Sequence, residues 1–142
     1  MSQYQELKAW QEARVLCRMI YVAMKQLPTE EIYALSSQMR RAVVSVASNI
    51  AEGAGRGNPK EFIRFLQIAR GSAYELETQI IICADLAYID KTMAADLYKQ
   101  NTRVPKLLNG LLRSLKDKPN TMLKEEVEEY GSSEEVFRTT VD

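Results

Sequence analysis

The sequence predicts an all-α protein, namely an up-down antiparallel four-helix bundle with a short C-terminal extension. Four segments carry apolar or small residues spaced alternately three and four apart, the pattern of a buried seam in a helix bundle. The seams run from Leu7 to Leu27, from Ile32 to Gly53, from Phe62 to Ala87 and from Leu97 to Leu115. No stretch alternates convincingly between apolar and polar residues. Short connections between long helices imply antiparallel neighbours.

Prolines and polar caps predict the helix boundaries. Pro28 breaks the first helix, and Thr29 can cap the second. Asp90 is expected to cap the fourth helix, and Pro119 prevents its continuation. Pro105 lies inside the fourth helix and should kink it, because a proline offers no N–H to the helix ladder.

Small residues indicate a close contact between the second and third helices. The second helix is rich in serine and alanine, and Gly71 inside the third is best explained if another helix passes close by. Asn49 occupies a seam position of the second helix, where a polar group usually fixes register or partner number. Helices two and three are therefore expected to pack closely.

The glycine-rich stretch at residues 53–57 is interpreted as a corner between these helices. A phosphate-binding P-loop needs a strand before the glycines and Lys-Ser or Lys-Thr after them, and neither is present. Gly53 or Gly55 can adopt a positive φ and end the second helix. Asn58 is expected to cap the third helix, with Pro59 in its first position and Glu61 reaching back as in a capping box.

Composition sets limits on the chemistry. The chain has 142 residues, 46% of them apolar and 27% charged, which is typical of one ordinary globular domain. Histidine is absent, which removes the commonest general base and metal ligand. Cys17 and Cys83 are expected to be buried free thiols. With no apolar run long enough to span a membrane and a polar N-terminus, a cytoplasmic location is expected, without cofactor or metal.

The charge is unevenly distributed. Residues 118–142 hold three basic and seven acidic residues, a formal charge of −4, which leaves +4 on residues 1–117 because the whole chain is neutral. The predicted domains are therefore a bundle over residues 1–117 and an acidic tail over 118–142, partly disordered or with one short helix. The tail could damp binding to a basic surface, dock on a neighbouring subunit, or serve as an inert extension.

Several motifs resemble a known family. They are Trp10 with a following Tyr21, Leu27-Pro28, Glu31-x-Tyr33-x-Leu35-x-x-Gln38, Arg40-Arg41-Ala42-x-x-Ser45, Asn49-Ile50-Ala51-Glu52-Gly53, and Phe62-x-x-Phe65-Leu66-x-x-Ala69-x-Gly71-Ser72-x-x-Glu75. Over about residues 4–117 the chain resembles the four-helix bundle family first named for reading frames inside intervening sequences of bacterial 23S rRNA genes. The Asn-Ile-Ala-Glu-Gly and Gly-Ser-x-x-Glu motifs are the most specific part of this resemblance.

The resemblance implies a homopentamer. It also points to a related protein, the accessory variability protein of diversity-generating retroelements, a basic pentamer that binds nucleic acid and a reverse transcriptase. The present chain departs from that protein in having no net positive charge.

These observations favour a non-catalytic, homo-oligomeric module that binds RNA, DNA or a nucleic-acid-handling protein. The candidate nucleic-acid-binding residues are Arg40, Arg41, Arg56, Lys60, Arg64 and Arg70. A second set of polar residues is expected to serve assembly or corner geometry rather than chemistry: Asn49, Glu52, Ser72 and Glu75. In the simpler interpretation these charges only form local pairs. Glu52 then forms a salt bridge with Arg56, and Glu75 pairs with Arg40.

Two alternatives remain. The protein could be a purely structural or protein-interaction module with no affinity for nucleic acid. An enzyme is less well supported, because a di-iron bundle needs histidine and nothing in the sequence arranges Glu52, Glu75 and Glu77 as a carboxylate-only metal site.

Overall fold

The computed structural model describes residues 3–117, and within this part of the chain four long helices and no strands are present. The helices are α1 (Lys8–Ala23), α2 (Leu35–Gly55), α3 (Pro59–Asp85) and α4 (Lys91–Lys116). Each helix packs on its neighbour in sequence, and α1 also packs on α4, as in an up-down bundle. The all-α prediction is confirmed, whereas the predictions for the tail lie outside the described residues.

The core lies between the four helices. Each helix contributes large, fully buried side chains, among them Leu16, Met39, Leu66 and Leu108. Burying such a side chain contributes about 1.5–3 kcal/mol, so the apolar periodicity is the main source of stability. None of the helices within residues 3–117 combines the length and the apolar character that a membrane span requires.

The predicted seam of α2 is only partly correct. Met39 and Val46 are buried as expected, but Val43 and Ile50 are buried too, and Asn49 is half-buried at the edge. A helix that packs against two neighbours buries a wider stripe than the narrow coiled-coil seam assumed in the prediction. Ile32 is 42% exposed, because it lies in the turn before α2.

The connection between α1 and α2 differs from its prediction. The α-helical part of α1 ends at Ala23 and is followed by 3-10 turns at Met24–Gln26 and Thr29–Glu31. Thr29 therefore does not cap α2. The Glu31 carboxylate takes that role, since it accepts a hydrogen bond from the Leu35 N–H at 3.2 Å. A carboxylate is well suited to the positive end of a helix dipole.

The end of α3 is not marked by a glycine in the sequence. Ala87 adopts a φ of 56°, and the Tyr88 N–H donates to the Cys83 carbonyl at 2.9 Å. The chain turns here, and Asp90 then caps α4 as predicted by accepting from the Met93 N–H at 2.8 Å. Helix α4 continues through Pro105, which is buried.

Two buried polar groups join distant parts of the bundle. Asn101, at its predicted seam position in α4, donates from Nδ2 to the Ala73 carbonyl of α3 at 2.9 Å. Cys83 is buried against Met39, with the two sulfur atoms 3.4 Å apart, and burial raises the pKa of its thiol to about 11. Cys17 is also a free thiol but only half-buried.

Candidate nucleic-acid interface

The corner between α2 and α3 forms where the sequence predicts, with corrections at Gly57 and Glu61. The Asn58 side chain accepts from the N–H groups of Lys60 and Glu61 at 2.9 and 3.2 Å, and Pro59 occupies the first position of α3. The positive φ belongs to Gly57, at 66°, and not to Gly53 or Gly55, which are both helical. Helix α2 continues two residues beyond Gly53, which moves the turn to Gly57.

Gly53 allows α2 to approach α3 closely. A β-carbon at this position would lie 2.7 Å from the Phe65 β-carbon and 3.1 Å from a ring carbon of Phe62. The prediction of close packing assigned this role to Gly71, where a β-carbon would meet nothing within 4 Å. The glycine at the helix contact is therefore Gly53, and Gly71 faces open space.

Two candidate arginines cover one aromatic ring at the corner. The guanidinium carbons of Arg56 and Arg64 lie 5.1 and 4.5 Å from the centre of the Phe65 ring. This spacing is within the range of cation–π contacts. Both guanidinium groups are thus held against an aromatic side chain of the protein itself.

Both arginines also have acidic partners. Arg56 donates to Glu52 at 2.8 Å, which is the local salt bridge that the simpler interpretation predicts. Arg64 donates to Glu61 at 2.8 Å, and this hydrogen bond lowers the pKa of the Glu61 carboxyl. The capping-box role predicted for Glu61 is replaced by this ion pair. The corner therefore presents less free positive charge than the sequence suggests.

A polar chain links α2 and α3 above the corner. Asn49 Nδ2 donates to the carbonyl and to Oγ of Ser45, at 2.8 and 2.9 Å. Ser45 Oγ in turn lies 2.9 Å from Ser72 Oγ on α3. Asn49 and Ser72 thus meet through Ser45, which lies in one of the family motifs quoted from the sequence but was not included among the predicted assembly residues. Glu75 is outside this chain and accepts from Gln79 at 3.3 Å.

The remaining candidate cations do not share one face. Arg40 lies over the Tyr21 ring of α1, with its guanidinium carbon 5.5 Å from the ring centre, instead of pairing with Glu75. Its buried Nε has no hydrogen-bond partner in the described part of the chain. Arg70 turns the other way and donates to Asn109 of α4 at 2.8 Å. The rise along a helix predicts their level but not which neighbour each one meets.

Lys60, Arg64 and Gln67 do lie together, as the spacing predicts. They line a shallow groove along the first turns of α3, with Asn58, Glu61 and Ile63. Arg41 and Lys60 are exposed and make no ion pair within residues 3–117. These two are the candidates best placed to meet a phosphate.

The sequence candidates leave out a group of cations on α4. Lys99, Arg103, Lys106 and Arg113 are exposed and follow one another at spacings of four, three and seven residues, which keeps them on one side of a helix. We refer to these four residues as the α4 basic stripe. The spacing is visible in the sequence, so the signal was available.

The three carboxylates considered for a metal site are not brought together. Glu52 pairs with Arg56 and Glu75 with Gln79, while Glu77 accepts a hydrogen bond from Tyr98 that raises the pKa of the tyrosine. Among residues 3–117, no group of three or more Cys, Asp or Glu side chains could hold a metal ion.

The fold and its corner define the class of this protein as an all-helical bundle with the Asn-Ile-Ala-Glu-Gly corner motif. A sequence model of the family described as 23S rRNA-intervening sequence protein matches residues 5–110, and the chain belongs to that family. The match covers α1, α2, α3 and most of α4. No curated protein matches the chain.

Proposed function

We propose that the protein is a non-catalytic, homo-oligomeric helical bundle of the cytoplasm, assembled as a pentamer, which binds nucleic acid or a nucleoprotein partner. The observation that carries the nucleic-acid part is the excess of uncompensated cations on the bundle. Residues 1–117 carry a formal charge of +4, yet only Lys8, Arg56 and Arg64 form ion pairs within the described residues. Free surface cations of this kind bind phosphate by releasing counterions.

Exposed apolar side chains support self-association. Tyr33 is 94% exposed, Ile82 in the last turn of α3 is 40% exposed, and Leu86, directly after the end of α3, is 53% exposed. The Tyr88 hydroxyl donates to Glu31 at 3.1 Å, which ties the turn that carries Tyr33 to the same end of the bundle. Exposed apolar side chains at one end of the bundle support a contact with another protein, and a second copy of the chain is the partner we propose.

Other aromatic residues do not support this proposal. Phe62 and Phe65 are 3% and 9% exposed, so the single chain already buries them. Trp10 is half-buried and packs edge-on against Tyr4, with ring centres 5.3 Å apart. The side-chain amide of Asn49 donates its hydrogen bond to Ser45 of the same chain, so it does not call for a partner on another chain. The case for assembly therefore depends on the exposed end of the bundle and on the family resemblance.

A nitrocellulose filter-binding assay with the full chain tests the nucleic-acid part. We expect affinity that falls steeply between about 50 and 200 mM salt, because phosphate contacts release counterions. No retention of either DNA or RNA at the lowest salt would contradict the proposal. Sedimentation equilibrium tests the assembly, for which we expect about five times the 16.2 kDa mass of one chain.

A purely structural module is the second candidate, favoured by one specific observation. The corner cations Arg56 and Arg64 are both paired with acids and both cover Phe65, which is what a structural corner requires. An oligomer that forms normally but retains no nucleic acid at low salt would favour this candidate.

A further inference from the structure

The α4 basic stripe runs along the outward side of its helix. From Lys99 to Arg113 it extends about 21 Å at about 1.5 Å per residue. Every residue of the stripe is exposed, whereas the intervening positions Val104, Leu107 and Leu108 are buried in the core. The helix is thus fixed by its apolar face and presents the cations on a rigid support.

No acid neutralises the stripe. Helix α4 has no acidic residue between Leu97 and Lys116, and none of the four stripe cations forms an ion pair within residues 3–117. Glu12, across the α1 contact, is already held by Gln100 at 2.6 Å and by Lys8 at 3.7 Å. On the α3 side, Glu77 accepts from the Tyr98 hydroxyl. Glu12 and Glu77 are therefore engaged elsewhere, and Asp96 and Asp117, one turn before Lys99 and one turn after Arg113, form no ion pair with the stripe within residues 3–117.

Helix-dipole stabilisation explains only part of the stripe. Arg113 lies in the last turn of α4, where a cation is favourable because the carbonyl end of the helix is negative. That effect falls off within the last turn. Lys99, Arg103 and Lys106 lie in the middle of the helix, and within residues 3–117 Arg103 donates a hydrogen bond to Gln100 at 3.4 Å but forms no ion pair. Their alignment needs another reason.

We propose that the α4 basic stripe binds the phosphate backbone of a nucleic-acid duplex. This inference rests on the proposed function and names the surface responsible for it. The rise between successive cations from Lys99 to Lys106 is about 4.5–6 Å, comparable with the ~3.4 Å axial spacing of phosphates along one strand. The stripe is therefore complementary to a row of phosphates in sign, and its spacing is of the same order.

The surroundings of the stripe favour a duplex over a single strand. Proteins that bind single strands usually stack bases on aromatic side chains. The stripe contains no aromatic residue, and nearby Tyr98 is tied to Glu77. Because α1 and α3 pack along both sides of α4, the helix does not project from the bundle by itself, which favours contact with phosphates over contact with base edges in a groove. The contact is consequently made to phosphates and is independent of base sequence.

A pair of matched triple variants of the full chain tests this surface. The first carries Lys99→Gln, Arg103→Gln and Lys106→Gln, which leaves Arg113 to stabilise the helix end. The control carries Arg18→Gln, Lys25→Gln and Lys91→Gln, exposed cations elsewhere on the bundle, so both variants lose the same charge. Fluorescence anisotropy is measured with DNA and RNA duplexes of about 20 base pairs over a salt series, and thermal melting confirms that both variants fold.

We expect the stripe variant to bind at least about tenfold more weakly, with a salt slope smaller by about 2–3, since each lost phosphate contact removes about 0.9. The control should retain affinity within about threefold of wild type. If the wild type binds and both triple variants weaken binding equally, or the stripe variant does not weaken it, the role of the stripe is overturned while the proposed function stands. Tighter binding to a single strand of equal length would overturn the duplex. A wild type that binds no nucleic acid would overturn both proposals.

Discussion

Gly53 and Phe65 meet across the α2–α3 contact so closely that a β-carbon on Gly53 would lie only 2.7 Å from that of Phe65. Atoms at this distance overlap, so one of the two helices must shift to admit a methyl group. The same β-carbon would lie 3.1 Å from a ring carbon of Phe62, so it could not avoid Phe65 by moving toward Phe62. The separation of α2 and α3 at the corner is thus determined by the absence of one side chain.

We expect Gly53→Ala to lower the free energy of unfolding by about 1–3 kcal/mol, because overpacking outweighs the better helix propensity of alanine. The matched control is Gly71→Ala in α3, where a β-carbon meets nothing within 4 Å. That substitution should stabilise the protein by about 0.5–1 kcal/mol through propensity alone. Urea denaturation measures both. Similar effects of the two substitutions would contradict the close contact.

The Glu52–Arg56 pair is expected to contribute little. From the sequence, a partly buried Glu52 would make Glu52→Gln cost about 1–3 kcal/mol. The structure shows side chains that are 55% and 48% exposed, so solvent screens the pair. We therefore expect Glu52→Gln to lower the unfolding free energy by less than about 1 kcal/mol. A larger loss on thermal or urea melting, or a smaller oligomer in sedimentation, would show that the assembly buries Glu52.

The Ser45 hydroxyl is expected to be the central member of the polar chain between α2 and α3. It meets both Asn49 and Ser72, so Ser45→Ala removes two hydrogen bonds and Ser72→Ala only one. We expect costs of about 1–2 and 0.5–1 kcal/mol, respectively. Urea denaturation of the two variants and the double variant measures the coupling. If the double variant costs the sum of the two, the 2.9 Å contact between the serines contributes nothing.

Local signals explain which parts of this fold could be predicted. The caps at Asn58 and Asp90 act within three residues of themselves, and both are confirmed. The cap of α2 could not be found in this way, because Glu31 reaches Leu35 across a turn that the sequence presents as helix.

The candidate interface was harder to predict, because helical spacing gives the level of a residue but not its neighbour. The spacing of Arg40 and Arg70 from the corner did not indicate that Arg40 contacts Tyr21 of α1 and Arg70 contacts Asn109 of α4. Which of Gly53 and Gly71 touches another helix likewise depends on how α2 and α3 cross. The α4 basic stripe could have been recognised without knowing how the helices pack, since all of its residues lie on one helix.

Burial of the Cys83 thiol predicts a stability loss at high pH. The pKa of this thiol is raised to about 11 in the folded protein, while an unfolded thiol keeps its ordinary value near 9.0. Only the unfolded state loses the proton between these values. The stabilising effect is therefore complete below about pH 9 and is lost as the pH rises to about 11, by about 2–3 kcal/mol.

Urea denaturation at several pH values between about 8 and 11 measures this loss. The comparison is with Cys83→Ala, which is less stable throughout but should decline less steeply, because tyrosines and lysines titrate in both proteins. Parallel declines would contradict a buried protonated thiol.

The acidic tail is expected to compete with nucleic acid for the bundle. Its first acids, Glu125 and Glu126, follow the end of the described chain at residue 117 by about eight residues. At about 3.3–3.6 Å per residue the linking segment can extend about 26–29 Å, more than the ~21 Å length of the α4 basic stripe. We therefore expect this tethered segment of charge −4 to compete at high effective concentration for a bundle of charge +4.

Truncation after Lys118 should therefore tighten binding of a DNA or RNA duplex at low salt. The gain should shrink as salt rises, because the Debye length falls from about 30 Å at 0.01 M to about 10 Å at 0.1 M. Combining the truncation with the triple stripe variant locates the competition: if the tail covers the stripe, truncation should bring no gain once those cations are neutralised. Equal affinity of the full-length and truncated proteins across the salt series would exclude masking and leave two roles for the tail, docking on a neighbouring subunit or an inert extension. A gain that survives neutralisation of the stripe would mean that the tail covers a different basic surface, with Arg41 and Lys60 at the corner the next to test.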